Sequence, residues 1–106
     1  MPRYLLQGSY SSEGTRGIIK KGGSERKAAV EEAAKSLGGK LEGFYFAFGE
    51  PDAFAIVDLP DNKSAAAISL IVNASGTIRC KTTVLMTPEE IDAAAQRTVS
   101  YRAPGQ

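Results

Sequence analysis

Apolar side chains alternate with polar or small ones in four stretches of the chain, and a two-residue period is typical of β-strands. We predict strands over residues 3–10, 40–48, 53–59 and 78–86. In the first of these, one face carries Tyr4, Leu6, Gly8 and Tyr10.

Helical signals separate these strands. Ser24 is predicted to cap a helix that continues to Leu37, because an alanine-rich stripe follows it and Gly38-Gly39 ends it. The preceding segment, 11–23, contains four glycines, so we expect a loop there with at most a turn or two of helix.

Two further helices are indicated later in the chain. Asp61 or Asn62 can cap one that extends to about residue 74 and ends at Gly76. The run Thr87-Pro88-Glu89-Glu90 predicts a capping box and a last helix to about residue 98. The remaining residues, 99–106, are expected to form a flexible tail.

The predicted order is strand, helix, strand, strand, helix, strand, followed by one extra helix. This order is typical of an α+β, ferredoxin-like βαββαβ fold with an antiparallel sheet. The length of 106 residues fits a single domain, 1–106.

The stretch 43–59 bears on assembly, because both of its faces are apolar. Phe44, Phe46 and Phe48 are expected on one face, with Leu41, Tyr45 and Ala47 on the other. The next strand repeats the pattern, with Phe54 and Ile56 opposite Ala53, Ala55 and Val57. Since a sheet face in water is normally polar, we expect a homodimer packed sheet to sheet, a dimeric α+β barrel. A monomer whose sheet is covered by the last helix is the alternative.

The amino-acid composition argues against several classes of site and partner. The formal net charge is +1, and there is no histidine and one cysteine, Cys80. These counts argue against a zinc site and against a histidine-activated nucleophile, and we predict no cofactor and no metal. The small net charge and the lack of a long apolar run argue against nucleic-acid and membrane partners. With no secretory signal evident at the start, we expect a cytoplasmic protein.

Several short motifs resemble the GYD domain family. They are Ser24-Glu25-Arg26, Gly38-Gly39, Phe44-Tyr45, Gly49-x-x-Asp52, Pro60-Asp61 and Gly76, spread over residues 1–91. Pro51 stands where the family's Gly-Tyr-Asp signature has its tyrosine. The resemblance implies a small bacterial-type protein with a ferredoxin-like, dimeric fold and no established activity.

The candidate site residues each have two interpretations. Tyr4, Tyr10 and Tyr45 could line a ligand cavity, or they could be core and interface residues. Asp52 could act as a base or bind a cation, or it could cap its own turn. Arg79, with Lys81, could pair with an acidic ligand, or it could protect a sheet edge from aggregation.

These observations favour a non-enzymatic dimeric module that binds a small ligand or a protein partner. A cofactor-free isomerase or oxygenase-like enzyme, with Asp52 and a tyrosine in the barrel cavity, is the alternative. A purely structural assembly is a third hypothesis.

Overall fold

The computed structural model describes residues 1–106 and contains four strands and four helices. In chain order these are β1 Arg3–Tyr10, α1 Ser12–Lys21, α2 Gly23–Ser36, β2 Lys40–Phe46, β3 Ala53–Asp58, α3 Asn62–Ala74, β4 Ile78–Leu85 and α4 Pro88–Ala95. The sheet order is β2-β3-β1-β4, and every pair of neighbours is antiparallel. The predicted ferredoxin-like α+β fold is confirmed. None of the helices is both long and apolar enough to cross a bilayer.

The segment predicted to be a loop, 11–23, is instead mostly the helix α1, and that prediction was wrong. The Ser11 hydroxyl accepts the Gly14 N–H at 3.1 Å and caps the helix start. Gly14 fits because it lies against the Thr77 carbonyl, where a Cβ atom would overlap the backbone. Gly22, with φ of 90°, separates α1 from α2. One glycine is therefore needed for close packing and another for the break, so their number did not exclude a helix.

The predicted boundaries of α2 are correct at its C-terminal end only. The helix begins at Gly23 with Gly22 as its N-cap, so Ser24 is not the cap. At the other end Gly38 has φ of 80° and donates to the Lys35 carbonyl, and Gly39 donates to the Ala34 carbonyl. This pair of bonds is a Schellman motif, the predicted glycine stop.

The starts of α3 and α4 are as predicted. Asp61 Oδ1 accepts the Ser64 N–H at 2.9 Å, and Thr87 and Glu90 exchange both hydrogen bonds of a capping box. However, α4 ends at Ala95 and lies outside the body of the protein. Every residue from 86 to 106 is exposed, and we call this segment the C-terminal arm. It contributes to a radius of gyration of 16.8 Å, against about 13 Å for a compact chain of this length.

The core lies between one face of the sheet and helices α2 and α3; we call this face the covered face. Tyr4 and Val57 are 1% and 0% exposed. They pack in one cluster with the helical residues Ala34, Ala65 and Ile68. The small alanines allow the helices to approach the strands closely, and burial of the larger side chains supplies the hydrophobic stabilisation.

A β-bulge changes the predicted arrangement of β2. The pairing with β3 shifts between Leu41 and Gly43, so Glu42 is an extra residue. Leu41 therefore lies on the covered face with Phe44, and both pack against the core. Placing Leu41 with Tyr45 on the opposite face was wrong, because strict alternation does not hold across a bulge.

Candidate functional site

The opposite face of the sheet has no helix over it, and we call it the open face. The strand registers place on it Leu5, Gln7, Ser9, Tyr45, Phe54, Ile56, Arg79, Lys81 and Thr83. Helix α4 is the one element that could cover this face from the same chain. All of its residues are exposed, so it does not.

The centre of the open face is apolar. In one row across the strands Gln7 is opposite Phe54, which is opposite Tyr45. In the next row Leu5 lies between Thr83 and Ile56. Leu5, Phe54 and Ile56 are partly exposed and Tyr45 is 65% exposed. Side chains in adjacent rows are close enough to form one continuous apolar surface.

At one end of the open face, the charged side chains form ion pairs with one another. Arg3 Nε donates to Asp58 Oδ1 at 2.8 Å, and Arg3 Nη2 lies 3.6 Å from Glu42 Oε2. Lys40 Nζ lies 3.1 Å from Glu42 Oε1. The hydrogen bond from Arg3 holds the pKa of Asp58 below its usual value, although burial acts in the opposite direction. These charges are satisfied within the chain.

The other end of the open face is a hollow of about 510 Å³, which we call the cationic hollow. Its lining comprises Gln7, Ser9, Glu50, Pro51, Asn73, Arg79, Cys80 and Lys81. Arg79 and Lys81 have no carboxylate within 4.0 Å, in contrast to Arg3 and Lys40. Glu50 gives the hollow one negative charge against two positive ones.

Asn73, on α3, satisfies the outer edge of β4 at Cys80. Its Oδ1 accepts the Cys80 N–H at 2.7 Å, and its Nδ2 donates to the Cys80 carbonyl at 3.2 Å. The amide side chain thus takes the place of a neighbouring strand at this position. The Cys80 side chain packs against the core on the covered face, and burial raises the pKa of its thiol.

The Asp52 carboxylate is engaged with the backbone. Its Oδ2 accepts the Tyr10 N–H at 3.0 Å. The Asp52 N–H donates to the Gly8 carbonyl at 2.8 Å, and its own carbonyl accepts the Ala47 N–H at 2.7 Å. Asp52 therefore fastens the β2–β3 loop to the end of β1, and one carboxylate oxygen already has a partner.

The structure separates the three candidate tyrosines. Tyr4 is buried on the covered face, and its hydroxyl donates to Asn62 Oδ1 at 2.7 Å. Tyr10 is on the same face with its ring 6.5 Å from that of Phe46, and burial raises its pKa. It lines a second hollow, of about 400 Å³, beside α1 and α2. Tyr45 alone lies on the open face, so of the five candidates only Tyr45 and Arg79 share it.

Sequence reasoning did not select Gln7, Ser9 or Asn73. Gln7 and Ser9 carried a usable signal, because they are polar residues at a two-residue spacing on the face of β1 opposite Tyr4. Asn73 carried none, since its role depends on α3 passing beside β4.

A comparison with models of known protein families gives one match. A family model described as the GYD domain matches residues 4–95, which include α4 and all of the sheet except Arg3, the first residue of β1. The chain belongs to the GYD domain family. No curated protein matches the sequence. The apolar residues of the open face of this GYD domain lie within the matched range, as do those of the cationic hollow. Arg3 and the end of the C-terminal arm, 96–106, lie outside it.

Proposed function

We propose that this GYD domain is a non-enzymatic homodimeric binding module, in which two open faces pack together and enclose a small ligand. One observation carries the proposal. All helices of the core lie on the covered face, while the open face presents Leu5, Phe54, Ile56 and Tyr45 to solvent. Apolar area of this kind gains about 25 cal/mol per Å² when it is removed from water.

The area needed for a dimer indicates how the second chain would be held. Four strands about 4.8 Å apart and six to eight residues long give a face of roughly 450 Å². A standard interface buries about 800 Å² per partner. The C-terminal arm can supply the difference, since it extends from the edge strand β4 and exposes Met86, Ile91, Val99 and Tyr101.

The geometry offers less support for an enzyme. The alternative hypothesis, a cofactor-free isomerase or oxygenase-like enzyme, requires Asp52 and a tyrosine to line the same cavity. Asp52 accepts a backbone N–H, and the only tyrosine on the open face, Tyr45, is on β2, across β3 from the hollow's strands. We therefore favour binding over catalysis.

The test is the oligomeric state of the wild type and of two lysine variants. Ile56→Lys places a charge at the centre of the open face, and Ala66→Lys places the same charge on an exposed position of α3. Sedimentation velocity from nanomolar to high-micromolar concentration is expected to show dimers for the wild type and A66K. I56K should be a monomer with an unchanged circular dichroism spectrum.

A wild type that is monomeric throughout this range would overturn the proposal. Native mass spectrometry of protein purified from its own cells would add any retained small molecule. A dimer that I56K leaves intact would place the interface elsewhere.

A further inference from the structure

We propose that the cationic hollow binds the head group of a small monoanion, such as a carboxylate, whose apolar body lies along Phe54, Ile56 and Leu5. This inference names the ligand class for the module proposed above, and it rests on that function for the second chain that would cover the ligand. The ligand is thus an apolar carboxylic acid of modest size, and its two parts correspond to two adjoining regions of the open face.

The first support is the convergence of donors. Arg79 is directly opposite Ser9, and Lys81 is directly opposite Gln7. Directly opposite side chains in an antiparallel pair start about 4.5–5.5 Å apart. A guanidinium, an ammonium, a hydroxyl and an amide therefore project from one small patch, which is the donor set that a carboxylate accepts from.

The second support is that the structure shows no other role for Arg79 and Lys81. Cations on an edge strand commonly prevent pairing with another chain. Here Asn73 already occupies the outward backbone groups of Cys80, the residue between the two cations. Arg79 and Lys81 also lack the carboxylate partners that occupy Arg3 and Lys40 at the opposite end of the face.

The third support is the apolar surface that begins where the hollow ends. Lys81, Gln7, Phe54 and Tyr45 form one row across the four strands. Phe54 lies two strands from Lys81, about 10 Å across the sheet, and Ile56 lies in the row next to Phe54. The body of a ligand whose head group is at Lys81 would therefore extend across β1 toward these two side chains. An inorganic anion would not use this surface, whereas an apolar acid would lose water from it and gain free energy.

The charge of the hollow favours a monoanion. Arg79 and Lys81 contribute two positive charges and Glu50 one negative charge, so the lining carries a net charge of +1. A single carboxylate neutralises this charge, while a dianion would leave an excess negative charge close to Glu50. Removing the Glu50 charge should accordingly strengthen the binding of an anion.

The experiment compares two probes of equal shape, 2-naphthoate and neutral 2-naphthamide, by fluorescence titration at physiological ionic strength. We expect the wild type to bind naphthoate at least about tenfold more tightly, since hydrogen bonds to a charged group are the stronger kind. In R79Q/K81Q the ratio should fall to about one or below, because Glu50 is then the only charge left in the hollow, and the affinity for naphthamide should be unchanged. The control R16Q/K63Q removes two exposed helical cations and should keep the wild-type ratio.

E50Q gives a result of opposite sign, because it should raise the affinity for naphthoate and leave that for naphthamide unchanged. Equal binding of the two probes by the wild type, binding of neither, or a ratio that R79Q/K81Q does not change would overturn the inference. Circular dichroism checks that each variant is folded. A wild-type dimer with no preference for naphthoate would refute the ligand class alone. A monomer that prefers naphthoate would refute the dimeric module and keep the ligand class.

Discussion

The two faces of the sheet are built from the same four strands, but helices bury one face and leave the other exposed. On β1, Tyr4 and Leu6 face α2 and α3 and are buried, while Leu5 and Gln7 alternate with them and are only partly covered. The apolar side chains of the covered face are buried by helices of the same chain. The open face keeps apolar surface and two unpaired cations in solvent, so it is the face on which binding can depend.

The open face itself shows a second contrast, between its two ends. Arg3 and Asp58 form a hydrogen-bonded ion pair at one end, whereas Arg79 and Lys81 have no anionic partner at the other. Charges paired within a chain contribute to its folding, and unpaired ones remain available to a ligand. The same residue type, arginine, therefore has different expected roles at the two ends.

The largest expected effect separates the two faces with one residue type. Leu6→Ala removes a buried side chain of the core cluster and should lower the free energy of unfolding by about 2–5 kcal/mol. Leu5→Ala, one position away on the open face, should cost about 1 kcal/mol in dilute protein. Chemical denaturation of both variants measures the difference.

Protein concentration sharpens this comparison. If a second chain covers Leu5, the cost of L5A should grow as protein concentration rises, because dimerisation stabilises only the assembled state. The cost of L6A should depend much less on concentration. Equal costs for L5A and L6A at low concentration would contradict the assignment of the two faces.

The next effect uses the tyrosines on the two faces. Tyr4→Phe removes the hydroxyl that donates to Asn62 and should cost about 1 kcal/mol of stability. Tyr45→Phe should leave stability unchanged, because the Tyr45 hydroxyl makes no hydrogen bond within the chain and the residue is 65% exposed. Thermal unfolding of the two variants is the measurement. A greater loss in Y45F than in Y4F would contradict the placement of Tyr4 in the core.

The fold was largely predictable because its signals are local. Alternation gave the four strands, and the residues Asp61 and Thr87 gave two helix starts through cap chemistry that acts within one turn. The errors arose where a distant contact decides the outcome. The Thr77 carbonyl makes room only for glycine at position 14, and nothing near that position in the sequence indicates it.

The candidate site was predictable only in part. Arg79 and Tyr45 could be selected by residue type and alternation, and both lie on the open face. Tyr4 looked equivalent to Tyr45, because its partner Asn62 is 58 positions away in the chain. The bulge at Glu42 also reversed the face of Leu41, and a strand pattern read without its partner strand contains no sign of such a shift.

The smallest expected effect compares the two ends of the open face through pH. Since the pKa of Asp58 is lowered in the folded chain, its ion pair with Arg3 stabilises the fold at neutral pH. That contribution is lost as pH falls below about 4, through the folded pKa. Arg3→Gln should therefore reduce stability at pH 7, and the gap from wild type should close in acid. Arg79→Gln, with no such partner, should show no gap at either pH. Denaturant unfolding from pH 7 into acid measures these differences in the free energy of unfolding. A difference between R3Q and wild type that stays constant into acid would show that Arg3 acts through packing instead of charge.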